Sequence, residues 1–167
     1  MSENIMTLER LTPNEVAVIS AIRQWRKFPK TIPCPILPRE VAEQIAGFVS
    51  YLWRRDPYAV NVGQSGENDL RLFEVQLLYV ISEQLAGNLL TTSEILAWWF
   101  AADEQTYARA SLDSVCVNMQ LAGVAVTASS WIRDYFQSMT LKRVRGVQDT
   151  YSRTHSDDAE PISTAIH

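Results

Sequence analysis

The chain has 167 residues, of which 47% are hydrophobic and 20% are charged, and its formal net charge is −4. This length suits one domain of ordinary size, and the composition is that of a globular protein rather than a disordered one. A net negative charge excludes nucleic-acid binding through overall charge, so any such binding requires a local cluster of Lys and Arg.

Membrane, zinc and export signals are not visible in the sequence. Residues 1–10 carry charges and no long apolar run, unlike a secretory signal. The longest uncharged stretch, residues 114–132, contains amide and hydroxyl side chains that suit a packed interior better than lipid. Cys34 and Cys116 are far apart, and no nearby Cys or His completes a zinc-ligand spacing. We therefore expect a cytoplasmic protein without a membrane span, a metal or a cofactor.

The first helix is predicted from its start signal. Thr12 can cap the helix, and Glu15, three residues later, completes a capping box. Apolar residues then recur at helical spacing within residues 18–28, while Arg23 and Lys27 are predicted to lie on the opposite side.

The middle of the chain alternates connectors with helices. Four prolines within residues 29–38 predict a stiff extended connector. An apolar stripe over residues 41–52 predicts a second helix, and residues 58–69 contain the pattern of a short strand or hairpin. Residues 70–86 are apolar almost all round, which predicts a central helix that ends at Gly87.

A fourth helix is predicted from the capping-box spacing of Thr91 and Glu94. One helix through all of the following apolar sequence would be about 70 Å long, which is too long for a compact chain of this size. We therefore expect breaks near residues 103–106 and 123–130. The alternation of residues 115–127 leaves a pair of strands open as an alternative.

An internal echo links the first and third predicted helices. The spacing of apolar residues around Glu15 recurs around Glu74. A duplicated helix-turn-helix unit and two amphipathic helices of similar pattern would both produce this echo.

Two consecutive segments match the first helices of a known DNA-binding fold. Residues 70–78 have the apolar and acidic positions of the motif L-T-x-x-E-[FY]-x-L-L. Residues 90–100, with the sequence LTTSEILAWWF, are similar to V-S-R-E-E-L-L-E-x-V-W.

Two later segments follow in the same order. Val115, Val117 and Met119 match the apolar positions of V-D-V-H-I, which opens the recognition helix, and Ala122 and Val126 match its later leucine positions. Residues 144–146 are similar to the last three letters of T-V-R-G, in the wing. Together, residues 70–147 resemble the winged-helix effector domain of the OmpR/PhoB type.

The resemblance implies a mainly α fold, a winged helix-turn-helix with a small β wing and two extra N-terminal helices; an all-α helical bundle is the alternative. The implied organisation is an N-terminal helical extension for packing or dimerisation (1–66), a winged-helix-like domain (67–149) and a flexible tail (150–167). The implied function is that of a transcriptional regulator that binds double-stranded DNA, with a homodimer suiting a palindromic site.

Five residues are candidate DNA contacts under this resemblance. Residues 111–122 contain no cation, so Arg109 is the cation nearest to the implied recognition helix. Asn118 replaces the histidine of the family and could pair with adenine, or could be a solvated or capping amide. The implied wing carries a basic cluster that would contact phosphates, or would be an ordinary solvated charge run: Lys142, Arg143 and Arg145.

Signals for an enzyme are missing, and a second function stays open. His155 and His167 lie in the predicted tail, and there is no glycine-rich phosphate loop or nucleophile elbow. Three consecutive rings at residues 98–100 cannot all face one side of a helix, so at least one should reach a second surface. The alternative is therefore a non-enzymatic α-helical protein–protein interaction module, which the acidic balance supports.

Overall fold

The computed structural model describes residues 6–27, 36–127 and 130–137, and these residues are mainly helical. Single turns of 3-10 helix lie at Leu8–Arg10 and Trp25–Lys27. The α-helices of the described residues up to 127 are α1 (Pro13–Arg23), α2 (Arg39–Arg55), α3 (Leu72–Leu85), α4 (Leu89–Trp99) and α5 (Gln105–Leu121). Residues 130–137 are helical and belong to a second compact unit that starts at Ser130.

The segment between α2 and α3 is extended but forms no strand among the described residues. One antiparallel bridge joins Thr7 to Asp69, so the predicted strand or hairpin at residues 58–69 is wrong. The physical reason is that several carbonyls of this segment accept hydrogen bonds from a guanidinium group rather than from a neighbouring strand. The predicted wing, with Lys142, Arg143 and Arg145, and the predicted tail at residues 150–167 lie outside the described residues.

Two helix starts were predicted from capping boxes, and one of them is confirmed. At α1, Glu15 N donates to Thr12 Oγ1 over 3.3 Å, and Thr12 N donates to Glu15 Oε2 over 2.8 Å. At α4 the prediction is wrong, because the helix begins at Leu89 and the predicted capping residues lie inside it. Asn88 fixes this earlier start, since its backbone N donates to Glu83 O and its Nδ2 donates to Glu83 Oε2, at 2.9 and 2.7 Å. Gly87, with φ +78°, supplies the left-handed residue that ends α3, as predicted.

The bounds of helix α5 confirm the two predicted breaks. They also show that the recognition helix implied by the resemblance does not begin where it was expected. It begins at Gln105 and ends at Leu121, and Gly123 follows it at φ +69°. Residues 115–121 are therefore helical rather than paired strands. The recognition helix was expected to open at Val115, but that residue lies in the last two turns of α5, because the buried stripe begins earlier, at Ala108. Ala122 and Val126, the expected later positions of that helix, follow its end.

The helices up to residue 127 pack as one unit. α2 contacts α1 and α5, α3 contacts α1, α4 and α5, and α4 also contacts α5. The predicted domain boundary between residues 66 and 67 falls inside this unit. Full burial of a large apolar side chain contributes about 1.5–3 kcal/mol, so this core is a major source of stability. The side chains that meet between α2, α3 and α5 are Ile45, Phe48, Leu77, Ile81, Leu112 and Val115.

A buried ion pair joins α1 to the start of α3. The side chains of Arg23 and Glu74 are 3% and 0% exposed, so the prediction that Arg23 lies opposite the packed side of α1 is wrong. Arg23 Nε donates to Glu74 Oε1 over 2.7 Å and Nη2 donates to Oε2 over 3.0 Å. The remaining guanidinium N–H groups donate to the backbone carbonyls of Gln64, Glu67 and Asp69. All five donors of the guanidinium are therefore used.

The carboxylate of Glu74 is equally well satisfied. Its Oε1 also accepts from Gly63 N and its Oε2 from Arg71 N, each over 2.9 Å. The hydrogen bond to Glu74 raises the pKa of Arg23 above its ordinary value, against the opposing effect of burial. The guanidinium of Arg23 thus stays charged, and its hydrogen bonds hold residues 63–71 against α1.

The internal echo of the sequence has a structural counterpart at the helix starts. Glu15 and Glu74 occupy the same position in the first turns of α1 and α3, and both are buried. Glu74 faces a guanidinium, whereas Glu15 Oε1 has no hydrogen-bond partner. The first turns of α1 and α3 are therefore alike in having a buried glutamate at the same position, but the two glutamates differ in what they bind.

We expect Glu74→Gln to lower the free energy of unfolding by about 3–5 kcal/mol, because the buried Arg23 loses its counter-charge. Urea denaturation would measure the change. The matched control is Arg71→Ala, which removes the exposed ion pair with Glu67 and should cost less than about 1 kcal/mol. Equal losses for the two variants would contradict the central place of the buried pair.

We expect Gly63→Ala to destabilise the protein by about 1–3 kcal/mol. An added Cβ would lie 2.8 Å from Arg23 Nη2 and 2.9 Å from Glu67 Oε2, and the guanidinium cannot move without breaking its hydrogen bonds. The control is Gly47→Ala within α2, where nothing lies within 4 Å of the new methyl group. That change should stabilise the helix by about 0.5–1 kcal/mol. Thermal melting of both variants tests the opposite signs.

Candidate functional site: the exposed face of helix α5

Helix α5 combines a fully packed inner side with a mostly apolar outer side. The inner side consists of Ala108, Leu112, Val115, Cys116 and Met119, each at most 3% exposed. On the outer side, Tyr107, Val117 and Leu121 are 63%, 46% and 81% exposed. We define the α5 face as the outer residues Tyr107, Ala110, Asp113, Ser114, Val117, Gln120 and Leu121, all of which are exposed.

Hydrogen bonds to both neighbouring helices hold the α5 face in place. On the α3 side, Gln84 Nε2 donates to Asp113 Oδ1 over 2.9 Å. On the α2 side, Gln44 Nε2 donates to Ser114 Oγ over 3.3 Å, and Asn118 Nδ2 donates to Gln44 Oε1 over 3.0 Å. Together with the buried inner side, these bonds fix the rotation of α5, so its apolar outer side is presented in one orientation.

Aromatic rings support the N-terminal end of α5. Phe100 lies against Phe48 and Tyr51, with ring centroids 6.0 and 5.4 Å apart, and Tyr51 contacts Tyr107 at 5.0 Å. Such pairs contribute about 0.5–1.5 kcal/mol beyond the area that they bury. The expectation that the three consecutive rings reach more than one surface is confirmed, since Trp99 contacts Phe73 of α3 whereas Phe100 contacts α2.

The structure does not bring the two described candidate DNA contacts together. Arg109 Nη1 donates to Ser93 Oγ on α4 over 3.1 Å, whereas Asn118 reaches α2 through Gln44. Nine residues on a helix correspond to a rotation of about 180°, so Arg109 and Asn118 lie on opposite sides of α5. The amide of Asn118 links α5 to α2, a role that the sequence did not predict. The candidates Lys142, Arg143 and Arg145 lie outside the described residues.

Acidic residues outnumber basic ones around the α5 face. Between Leu89 and Leu121 the sequence contains four acidic residues and one basic residue, Arg109. Arg55 of α2 is paired with Glu104, so its charge is partly neutralised. A phosphate backbone approaching the α5 face itself would meet the carboxylate of Asp113 and no cation of that face.

Some classes of site are not found in the part of the chain that the structure describes. Residues 6–27, 36–127 and 130–137 contain no group of three or more His, Cys, Asp or Glu side chains that could hold a metal ion. No helix within the same ranges has both the length and the apolar character needed to cross a membrane.

The polar residues that orient the α5 face were not identified from the sequence. Gln44 and Gln84 lie 70 and 29 residues away from their partners on α5, so no local pattern connects them. Neither glutamine stands out locally either, since each directly follows a glutamate, Glu43 or Glu83.

Comparisons of the chain with protein-family models, with curated proteins and with solved structures found no match in any of the three. The chemistry of the α5 face is therefore the basis for a functional argument.

We expect Cys116 to resist thiol reagents at pH 8 in the native protein. Burial raises its pKa to about 12, with a smaller contribution from the charge of Asp113, so the thiol stays protonated well above neutral pH. A Cys34→Ser variant isolates this thiol, and a colorimetric thiol assay would follow it. Reaction should appear only when urea unfolds the chain. Fast reaction in native buffer would show that the inner side of α5 is open to solvent.

Proposed function

We propose that this chain is a non-enzymatic helical module that binds a partner protein through the α5 face. The observation that carries the proposal is a helix held on both flanks by hydrogen bonds, with large apolar side chains left exposed on its outer side. Burial of apolar surface contributes about 25 cal/mol per Å², so Tyr107, Val117 and Leu121 would favour association. A fixed orientation adds affinity, because little ordering is needed on binding.

The charge of the face supports a protein rather than a nucleic acid as partner. Non-specific DNA affinity comes from Lys and Arg that neutralise phosphates, and the α5 face contains none. Its one charged residue is Asp113, which a phosphate backbone would repel.

DNA-dependent transcriptional regulation is the second candidate. The observation that favours it is the mutual packing of α3, α4 and α5, which is the trihelical arrangement that the resemblance to winged-helix domains implies. In this candidate the β wing carries Lys142, Arg143 and Arg145 to the phosphates, and a homodimer reads a palindromic site.

The deciding measurement is binding of the full chain to random-sequence duplex DNA over a range of salt concentrations. We expect no binding even at low ionic strength, because electrostatic attraction is strongest there and the α5 face offers no cation. Fluorescence anisotropy of labelled DNA gives the readout.

The Arg145→Ala variant is the control for the second candidate. If the wild-type chain binds DNA and this variant binds all sequences more weakly, with a shallower salt dependence, the regulator is correct and the interaction module is overturned.

A further inference from the structure

Helices α2 and α5 form a shallow groove that has small residues at its centre. The helices are antiparallel, since Gln44 contacts Ser114 near one end and Tyr51 contacts Tyr107 near the other. Gly47 follows Gln44 by three residues and precedes Tyr51 by four, so it lies on the same side of α2. Ala110 has the same spacing between Tyr107 and Ser114 on α5.

The groove floor is open to solvent, and the margin that α5 forms is largely apolar. A Cβ added at Gly47 would meet nothing within 4 Å, and Ala110 and Ser114 are exposed. Val117 and Leu121 continue the line of α5 beyond Ser114. From Tyr107 to Leu121 the groove extends over about 21 Å, which equals four turns of a second helix.

The ends of the groove differ in charge. Glu40 and Glu43, both exposed, lie in the first turns of α2, beside the C-terminal end of α5 where Leu121 projects. Arg39 is also exposed in the first turn of α2, so this end carries two carboxylates and one guanidinium. The other end holds Arg54, which is also exposed, and Arg55, which is paired with Glu104. Asp113 adds a carboxylate to the outer face.

We propose that this groove takes one amphipathic helix of a partner protein, with the basic residues of that helix over Glu40 and Glu43. This inference rests on the proposed function and adds the class of partner. The small floor residues allow the backbone of a second helix to approach closely, while Tyr107, Val117 and Leu121 contact its apolar side. The acidic end selects Lys or Arg and also fixes the direction in which the helix lies.

Charge also disfavours a second copy of the chain in this groove. An antiparallel copy of α5 crossing near Ala110 and Ser114 would bring the two Asp113 carboxylates towards each other. Like charges in apposition oppose such pairing.

The probe is a synthetic 18-residue helix with Leu and Ala on one side, Gln on the other, and three Lys confined to one terminal half. The control probe replaces each Lys by Glu. We expect the full chain to bind the Lys helix about 3- to 10-fold more tightly than the Glu helix, as exposed charge pairs allow. A Glu40→Lys, Glu43→Lys double variant should invert this preference. Fluorescence anisotropy measures both affinities.

Gly47→Leu tests the groove itself. The leucine fills the floor, and the position is exposed in a helix, so the fold should persist by circular dichroism while affinity for the Lys helix falls more than about 10-fold. Gly47→Ala is the matched control and should retain most of the binding.

The outcomes separate this inference from the proposed function. Equal affinity of wild-type and Gly47→Leu chains for the Lys helix, or no inversion by the double variant, would overturn the groove and its partner class. A concentration-dependent dimer that Gly47→Leu disrupts would replace the partner helix by a second copy. Binding of random duplex DNA would overturn the proposed function, and with it the inference.

Discussion

The ion pair between Arg23 and Glu74 is the constraint on which the helical unit depends. Its two groups are buried, and every guanidinium donor and both carboxylate oxygens have partners. A buried charge pair contributes little net stability by itself, yet leaving one partner alone is costly. The pair therefore contributes mainly to the specificity of the fold. Its hydrogen bonds can all form only when α1, α3 and the segment before α3 meet at one point.

The position of α5 follows from that arrangement. α1 packs against α2 and α3, and α5 packs against these same two helices. The amide groups of Gln44 and Gln84 then set the rotation of α5 from its two flanks. The result is an outward surface that consists of Tyr, Ala, Ser, Val, Gln and Leu side chains with one carboxylate, and this composition suits contact with protein.

Local signals in the sequence predicted much of the helical framework. Thr12 and Gly87 act through their own backbone and nearest neighbours, so the start of α1 and the end of α3 were readable. The partner of Arg23 lies 51 residues away, and no periodicity reveals that a charged residue will be buried. The start of α4 was misplaced for a related reason, because Asn88 binds back to Glu83 and overrides the capping signal downstream. The sequence singles out Asn118 as a candidate contact, but its role between two helices depends on a residue of α2.

The guanidinium of Arg23 also limits where residues can be inserted or deleted in the segment between α2 and α3. Three of its acceptors are the backbone carbonyls of Gln64, Glu67 and Asp69. Inserting or deleting one residue between them would move these carbonyls away from the N–H groups of the guanidinium. The preceding turn is closed locally, by hydrogen bonds from Tyr58 N and Ala59 N to the Asp56 carboxylate. An insertion is therefore better tolerated in the turn at residues 56–59 than between residues 64 and 69, where the hydrogen bonds of Arg23 fix the number of residues.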